Sequence, residues 1–268
     1  MEDRFAFGRN WQSYAARLPA EATARARRSL AAMLGENALQ GARFLDIGSG
    51  SGLFSLAALE LGAARIHSFD YDPDSVACTA SMKAQHAPDA PHWSVERGDV
   101  LDAGYVESLG RWDVVYSWGV LHHTGQMWQA VANAATRVAP GGLFFIALYN
   151  DQGWLSRIWH RIKRFYVRAP RVVQKTMNVA FFSLFALLLA AADILRLRNP
   201  MTRHNGRDER GMRLYVDVAD WIGGYPFEVA STDAVIQFMR ERGFTPVKVV
   251  DVGFRQGCNE FVFKAPGA

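Results

Sequence analysis

The chain has 268 residues, half of them hydrophobic, which is enough to bury a full core in one domain carrying an insertion. A net charge of +4 is a mild basic bias that suits nucleic acid or an anionic membrane surface without deciding between them, and two cysteines make no disulfide framework. Met1 to Asn10 carries both charge signs and no apolar run, so no secretory signal is read and a reduced cytoplasmic protein is expected. In chain order, a basic helix is expected over Ala20 to Leu34. Next comes a short apolar strand, Phe44 to Ile47, running into a turn with glycines at 48, 50 and 52 and then into a helix over Leu53 to Leu61. Glycine permits positive φ and close approach of a ligand to the backbone, so a nucleotide-like ligand is expected at this turn. The dinucleotide fingerprint needs its third glycine at position 53, which is Leu, and Asp46 would repel a pyrophosphate.

A second strand, Arg65 to Asp70, ends in an acid about 20 residues after the glycines, where a carboxylate accepts ribose hydroxyls. Asp72 and Pro73 read as a turn, with Asp74 or Ser75 capping a helix over Val76 to His86. A third strand runs from His92 to Arg97 and a fourth from Asp113 to Ser117, followed by Trp118-Gly119-Val120-Leu121-His122-His123-Thr124. A helix over Met127 to Val138 leads through Pro140-Gly141-Gly142 into a fifth strand, Leu143 to Tyr149. The chain closes with a helix, Thr232 to Arg242, and strands Val247 to Val252 and Glu260 to Lys264.

This ordered set resembles the class I S-adenosylmethionine (SAM) dependent methyltransferases, in particular the ubiquinone-biosynthesis O-methyltransferase type. The resemblance covers Gly41 to Asn150 closely and Phe227 to Lys264 more loosely. It implies an α/β, Rossmann-like, seven-stranded and mostly parallel sheet with a terminal antiparallel hairpin, and a helical insertion after the fifth strand. The implied organisation is an N-terminal helical cap (1–40), a SAM-binding core (41–150), an insertion or lid (151–226) and a terminal segment completing the sheet (227–268). SAM is the implied cofactor. Asp46, Gly48, Ser49, Gly50 and Gly52 form its glycine motif, Asp70 and Tyr71 meet the ribose end, Asp99 and Val100 face the adenine, and Trp118 lies in the motif after the fourth strand. Arg9 and Tyr14 lie in an aromatic N-terminal stretch that folds over the cofactor in many relatives; helix packing explains them equally.

SAM carries an activated methyl group, so alignment of the acceptor supplies most of the rate, and a hydroxyl acceptor also has to lose a proton. His122 and His123 are the candidate bases, with packing beside the cofactor as the structural alternative. Tyr149 and Asn150 end the fifth strand facing the same crevice. Asp217, Tyr225 and Glu228 are candidate acceptor contacts, or turn and cap residues. No metal-ligand spacing is present and metal independence is expected. The expected acceptor is small or lipophilic and methylated on oxygen. The alternatives are a small thiol or other small nucleophile, and a SAM-binding scaffold without turnover. Nucleic acid is not an expected substrate.

Thr176 to Ala192 contains no charged residue over about 17 positions, the lower edge of a membrane span. It follows a basic run, Arg157, His160, Arg161, Lys163, Arg164, Arg168 and Arg171, interleaved with Trp159, Phe165 and Tyr166. Three readings stand: a buried or dimer-forming lid helix, a helix lying on the inner membrane through 157–195, and a spanning helix. A polar loop or second lid element is expected over Arg196 to Arg213.

Overall fold

In a computed structural model, residues 21–195 and 221–267 are described. Arg9, Tyr14, Asp217 and the Arg196 to Arg213 segment lie outside the described residues. Seven strands form one sheet: β1 (Arg43–Ile47), β2 (Arg65–Asp70), β3 (Trp93–Arg97), β4 (Trp112–Trp118), β5 (Val138–Tyr149), β6 (Thr245–Val250) and β7 (Cys258–Lys264). Their order is β3-β2-β1-β4-β5-β7-β6, with β7 antiparallel to both neighbours and the other pairs parallel.

The strands alternate between two cores, as a sheet covered on both faces requires. Phe44, Val114, Tyr116, Phe145 and Val262 join one core, with α1 (Ala22–Leu34) and α2 (Leu53–Glu60) packed against them. Leu45, Ile47, Val115, Phe144, Ile146, Phe261 and Phe263 join the other, under α5 (Met127–Ala135) and α8 (Thr232–Arg240). Between these lie α3 (Pro73–His86) and α4 (Ala103–Ser108), and the insertion after β5 forms α6 (Trp154–Arg168) and α7 (Arg171–Leu195). The edge strand β6 carries Pro246 and Lys248, residues that discourage pairing with another chain.

Several boundaries differ from the sequence reading for local reasons. Helix α3 starts at Pro73 because Asp72 is its N-cap, accepting from the Asp74 N–H at 2.9 Å; neither Asp74 nor Ser75 caps it. Helix α5 stops at Ala135, and Val138 opens β5 opposite Trp112. Helix α8 stops at Arg240, before Gly243 at φ +81°. The two last strands each begin two residues earlier than expected.

Phe145 is fully buried, with its ring edge-on to Tyr116 at 5.2 Å. Phe145→Ala is expected to cost about 3–5 kcal/mol in urea unfolding, against less than about 0.5 kcal/mol for Val250→Ala on the exposed edge.

Candidate active site

The sheet reverses its winding between β1 and β4, and open α/β sheets bind ligands at such a crevice, beyond the carboxyl ends of the strands. The turn from β1 into α2 holds Gly48, Gly50 and Gly52 at φ +77°, +53° and +77°. A Cβ on Gly48 would lie 2.4 Å from a Val120 methyl, so this turn is pressed against the loop after β4. The Gly50 N–H donates to Asp70 Oδ2 at 3.0 Å and the Asp72 N–H donates to Oδ1 at 3.0 Å. Thr79 donates to the Gly50 carbonyl at 3.1 Å, so the 2.9 Å contact between Ser49 Oγ and Thr79 Oγ1 is donated by Ser49. Tyr71 adds a third backbone hydrogen bond to the Asp70 carboxylate, whose two oxygens can accept about four in all, so acceptor capacity remains for a ligand hydroxyl.

Asp46 lies beneath the turn at the end of a hydrogen-bonded chain. Trp93 Nε1 donates to Ser68 Oγ, Ser68 and Ser55 share a 2.7 Å bond, and Ser55 donates to Asp46 Oδ2 at 2.5 Å. Burial pushes the Asp46 carboxyl up to about 7, with Asp70 adding to the rise and Ser55 opposing it. Asp70 is pushed up to about 6, chiefly by burial, against its backbone hydrogen bonds.

Beside Asp70 is a cleft of about 250 Å³ lined by Tyr71, Arg97, Gly98, Asp99, Asp102 and Tyr105. Arg97 donates to the Tyr71 carbonyl at 3.2 Å and lies 5.6 Å from the Tyr71 ring. A Cβ on Gly98 would meet the Tyr105 ring at 2.2 Å. Asp99 accepts from the Leu101 N–H at 2.9 Å on the cleft wall, whereas the Val100 side chain is buried in the core beneath. The structure thus brings together the turn glycines, Asp70, Tyr71 and Asp99, and adds Arg97, Asp102 and Tyr105, which the sequence did not single out. A flat base fits the cleft, and a ribose fits beside the two Asp70 oxygens.

Across β4 the site changes character. Trp118 donates through Nε1 to Glu260 Oε1 at 2.7 Å, which fixes its indole toward β7. His122 and His123 sit on a single 3₁₀ turn, Leu121–His123. His122 is fully buried, and the Tyr149 N–H points at its Nδ1 at 3.3 Å, so its proton belongs on Nε2, which has no partner among the described residues. Burial, then His123 and the charge of Lys163, hold His122 well below the ordinary imidazole range. His123 is half-buried and its Nδ1 lies 2.7 Å from the Pro226 carbonyl, which only accepts. Its proton therefore sits on Nδ1 and its basic lone pair on Nε2.

Tyr149 stacks on His122 with ring centroids 3.9 Å apart and meets Trp221 and Phe227 at 5.3 and 5.4 Å. Lys163 of α6 enters this aromatic group fully buried, with Nζ donating to the Trp221 carbonyl and lying 4.1 Å from the Trp221 ring and 4.8 Å from that of Phe227. The sequence reading missed its role, although Ser156, Trp159, Lys163 and Tyr166 recur at the spacing of one buried stripe. Glu228 accepts from the Met127 N–H at 3.0 Å, at the start of α5, and its own N–H donates to the His122 carbonyl. Asn150 uses its amide on the Gly253 carbonyl and Asn259, and the Tyr225 ring lies 5.7 Å from that of His160.

Between the ordinary aspartate value of 3.8 and about 7, the Asp46 carboxyl binds more protons folded than unfolded, so stability falls as pH rises through that window. Asp46→Asn, which still accepts from Ser55, is expected to raise Tm over the parent near about pH 8 and to leave it unchanged near about pH 4. Equal shifts at both pH values would contradict a buried charge.

A family model described as a methyltransferase domain matches residues 13–206. A ubiquinone biosynthesis O-methyltransferase of Methylobacterium nodulans is 31% identical over 146 residues, 49% of this chain and 56% of that protein. A ribosomal protein L11 methyltransferase of Xanthomonas campestris pv. campestris is 46% identical over 70 residues, 26% of this chain and 23% of that protein. The chain thus spans about half the length of the first and under a quarter of the second. The N-methyltransferase NodS from Bradyrhizobium japonicum WM9, solved with S-adenosyl-l-homocysteine, shares the fold at TM-score 0.53 and 16% identity, with 98% of this chain and all of that one covered. From the family match and the strand order together, the chain belongs to the class I SAM-dependent methyltransferases.

Proposed function

We propose that the chain transfers the methyl group of SAM to a hydroxyl oxygen of a lipophilic acceptor, with His123 as the general base. The observation that carries this reading is the fixed tautomer of His123. The Pro226 carbonyl accepts from its Nδ1–H, which makes Nε2 the basic nitrogen of the neutral ring and fixes that ring at the carboxyl end of β4, beside an aromatic wall of Tyr149, Trp221 and Phe227. SAM, when bound, supplies an electrophilic methyl group and needs no further activation by the protein.

In this reading Asp70 accepts the ribose hydroxyls, the cleft bounded by Tyr71, Asp99 and Tyr105 takes the adenine, and ionised Asp46 favours the cationic end of the ligand. The aromatic wall orients an apolar acceptor and excludes water. His123 takes the hydroxyl proton as the oxygen is methylated. His122 remains neutral and positions the turn: it is buried, its ring is covered by Tyr149, and its carbonyl is tied to Glu228. The similarity to ubiquinone biosynthesis O-methyltransferases supports oxygen as the accepting atom.

Incubating the protein with methyl-labelled SAM and a cell extract, then partitioning the products, tests the reading. Label is expected in the organic-soluble fraction as a base-stable ether. His123→Ala is expected to lower that labelling about 10²- to 10⁴-fold with SAM affinity retained, and to recover partly at alkaline pH as the acceptor ionises. Label confined to water-soluble products, or an undiminished rate in His123→Ala, would overturn it.

A further inference from the structure

The helices α6 and α7 turn an unusual surface outward. On α6 the exposed positions include Trp154, Arg157, Ile158, Arg161, Arg164 and Phe165, one helical face on which cations and large apolar groups alternate. On α7 they include Val172, Val179, Leu184, Leu187, Leu188 and Ile194, with Val172 75% and Leu187 69% exposed, and Arg171 and Lys175 at the amino end. A continuous apolar stripe of this size on one helix is not an ordinary solvated surface.

We propose that this face docks on an anionic phospholipid surface, with α7 lying in the membrane plane and the α6 arginines meeting the headgroups. The charge pattern selects this occupant: arginines interleaved with Trp and Phe match anionic headgroups above an acyl boundary. A second copy fits less well, since a twofold contact pairs the patch with other residues of the same patch, and Trp154 to Ala192 contains no acid to meet its arginines. A span is also disfavoured. The 24 residues of Arg171–Ile194 are long enough to cross a bilayer, but the inner positions of α7 pack half-buried against protein. Phe181 lies 5.9 Å from Trp159, Met177, Phe182 and Phe185 pack around Tyr166 and Ile222, and Asp193 is buried. Only the outer face is left for lipid.

The same helix that presents the arginines outward sends Lys163 inward to Tyr149, so the docked face lies one helix away from the aromatic wall. The docking rests on exposure and charge alone and stands whatever atom is methylated.

The test is sedimentation of the full chain with vesicles of phosphatidylcholine containing about 30% phosphatidylglycerol, against phosphatidylcholine alone. Binding is expected to the anionic vesicles, to weaken with salt, and to fall about a hundredfold in the Arg157→Ala/Arg161→Ala/Arg164→Ala variant. Leu187→Glu/Leu188→Glu is expected to abolish it with the thermal transition and SAM affinity of the parent, since both positions are exposed. Absence of sedimentation, or binding unchanged in the leucine variant, would overturn the proposal. So would a soluble dimer that the leucine variant dissociates without any vesicle binding, which would assign the face to a second copy.

Discussion

The hydrogen bond from the Gly50 N–H to the Asp70 carboxylate is the constraint on which the site depends. It joins the turn after β1 to the end of β2 and fixes the spacing between the glycine turn and the carboxylate we assign to the ribose. The turn has that shape only because three glycines accept positive φ, and it approaches Val120 only because Gly48 has no Cβ. The parallel pairing of β1 with β2 and β4 then places Asp70 on one side of the turn and the histidine pair on the other.

Two carboxylates near this turn are withdrawn from water, Asp46 fully and Asp70 in part. Asp46 and Asp70 are each raised by burial and stabilised by donors from Ser55, Gly50 and Asp72. In the proposed mode of binding a cationic ligand offsets that cost, whereas a pyrophosphate would add repulsion.

The core fold was legible because its signals are local. Alternating strands, the glycine turn and the acid ending β2 each lie within a few residues, and each element formed where its pattern pointed. The boundary errors at Asp72 and Val138 came from capping and pairing partners that periodicity does not encode. The candidate site was legible only by half. Gly48 to Gly52 and Asp70 are named by a short segment, whereas the His123 tautomer depends on Pro226, 103 residues away, and the aromatic surroundings of Lys163 depend on Trp221 and Phe227. A lysine inside an apolar stripe was the available sign. The run from Thr176 to Ala192 showed its apolarity, yet only packing against Trp159 and Tyr166 divides it into an inner and an outer face.

Calorimetric titration of SAM into the parent chain and into Asp70→Ala tests the central assignment most directly. Losing the charged acceptor for the ribose hydroxyls is expected to weaken binding about ten- to a hundredfold in a chain that still folds, with a lowered thermal transition because the Gly50 and Asp72 N–H groups lose their acceptor. Unchanged affinity in a folded Asp70→Ala variant would contradict the assignment of the ribose to Asp70 and, with it, the placement of the cofactor across β1 and β2.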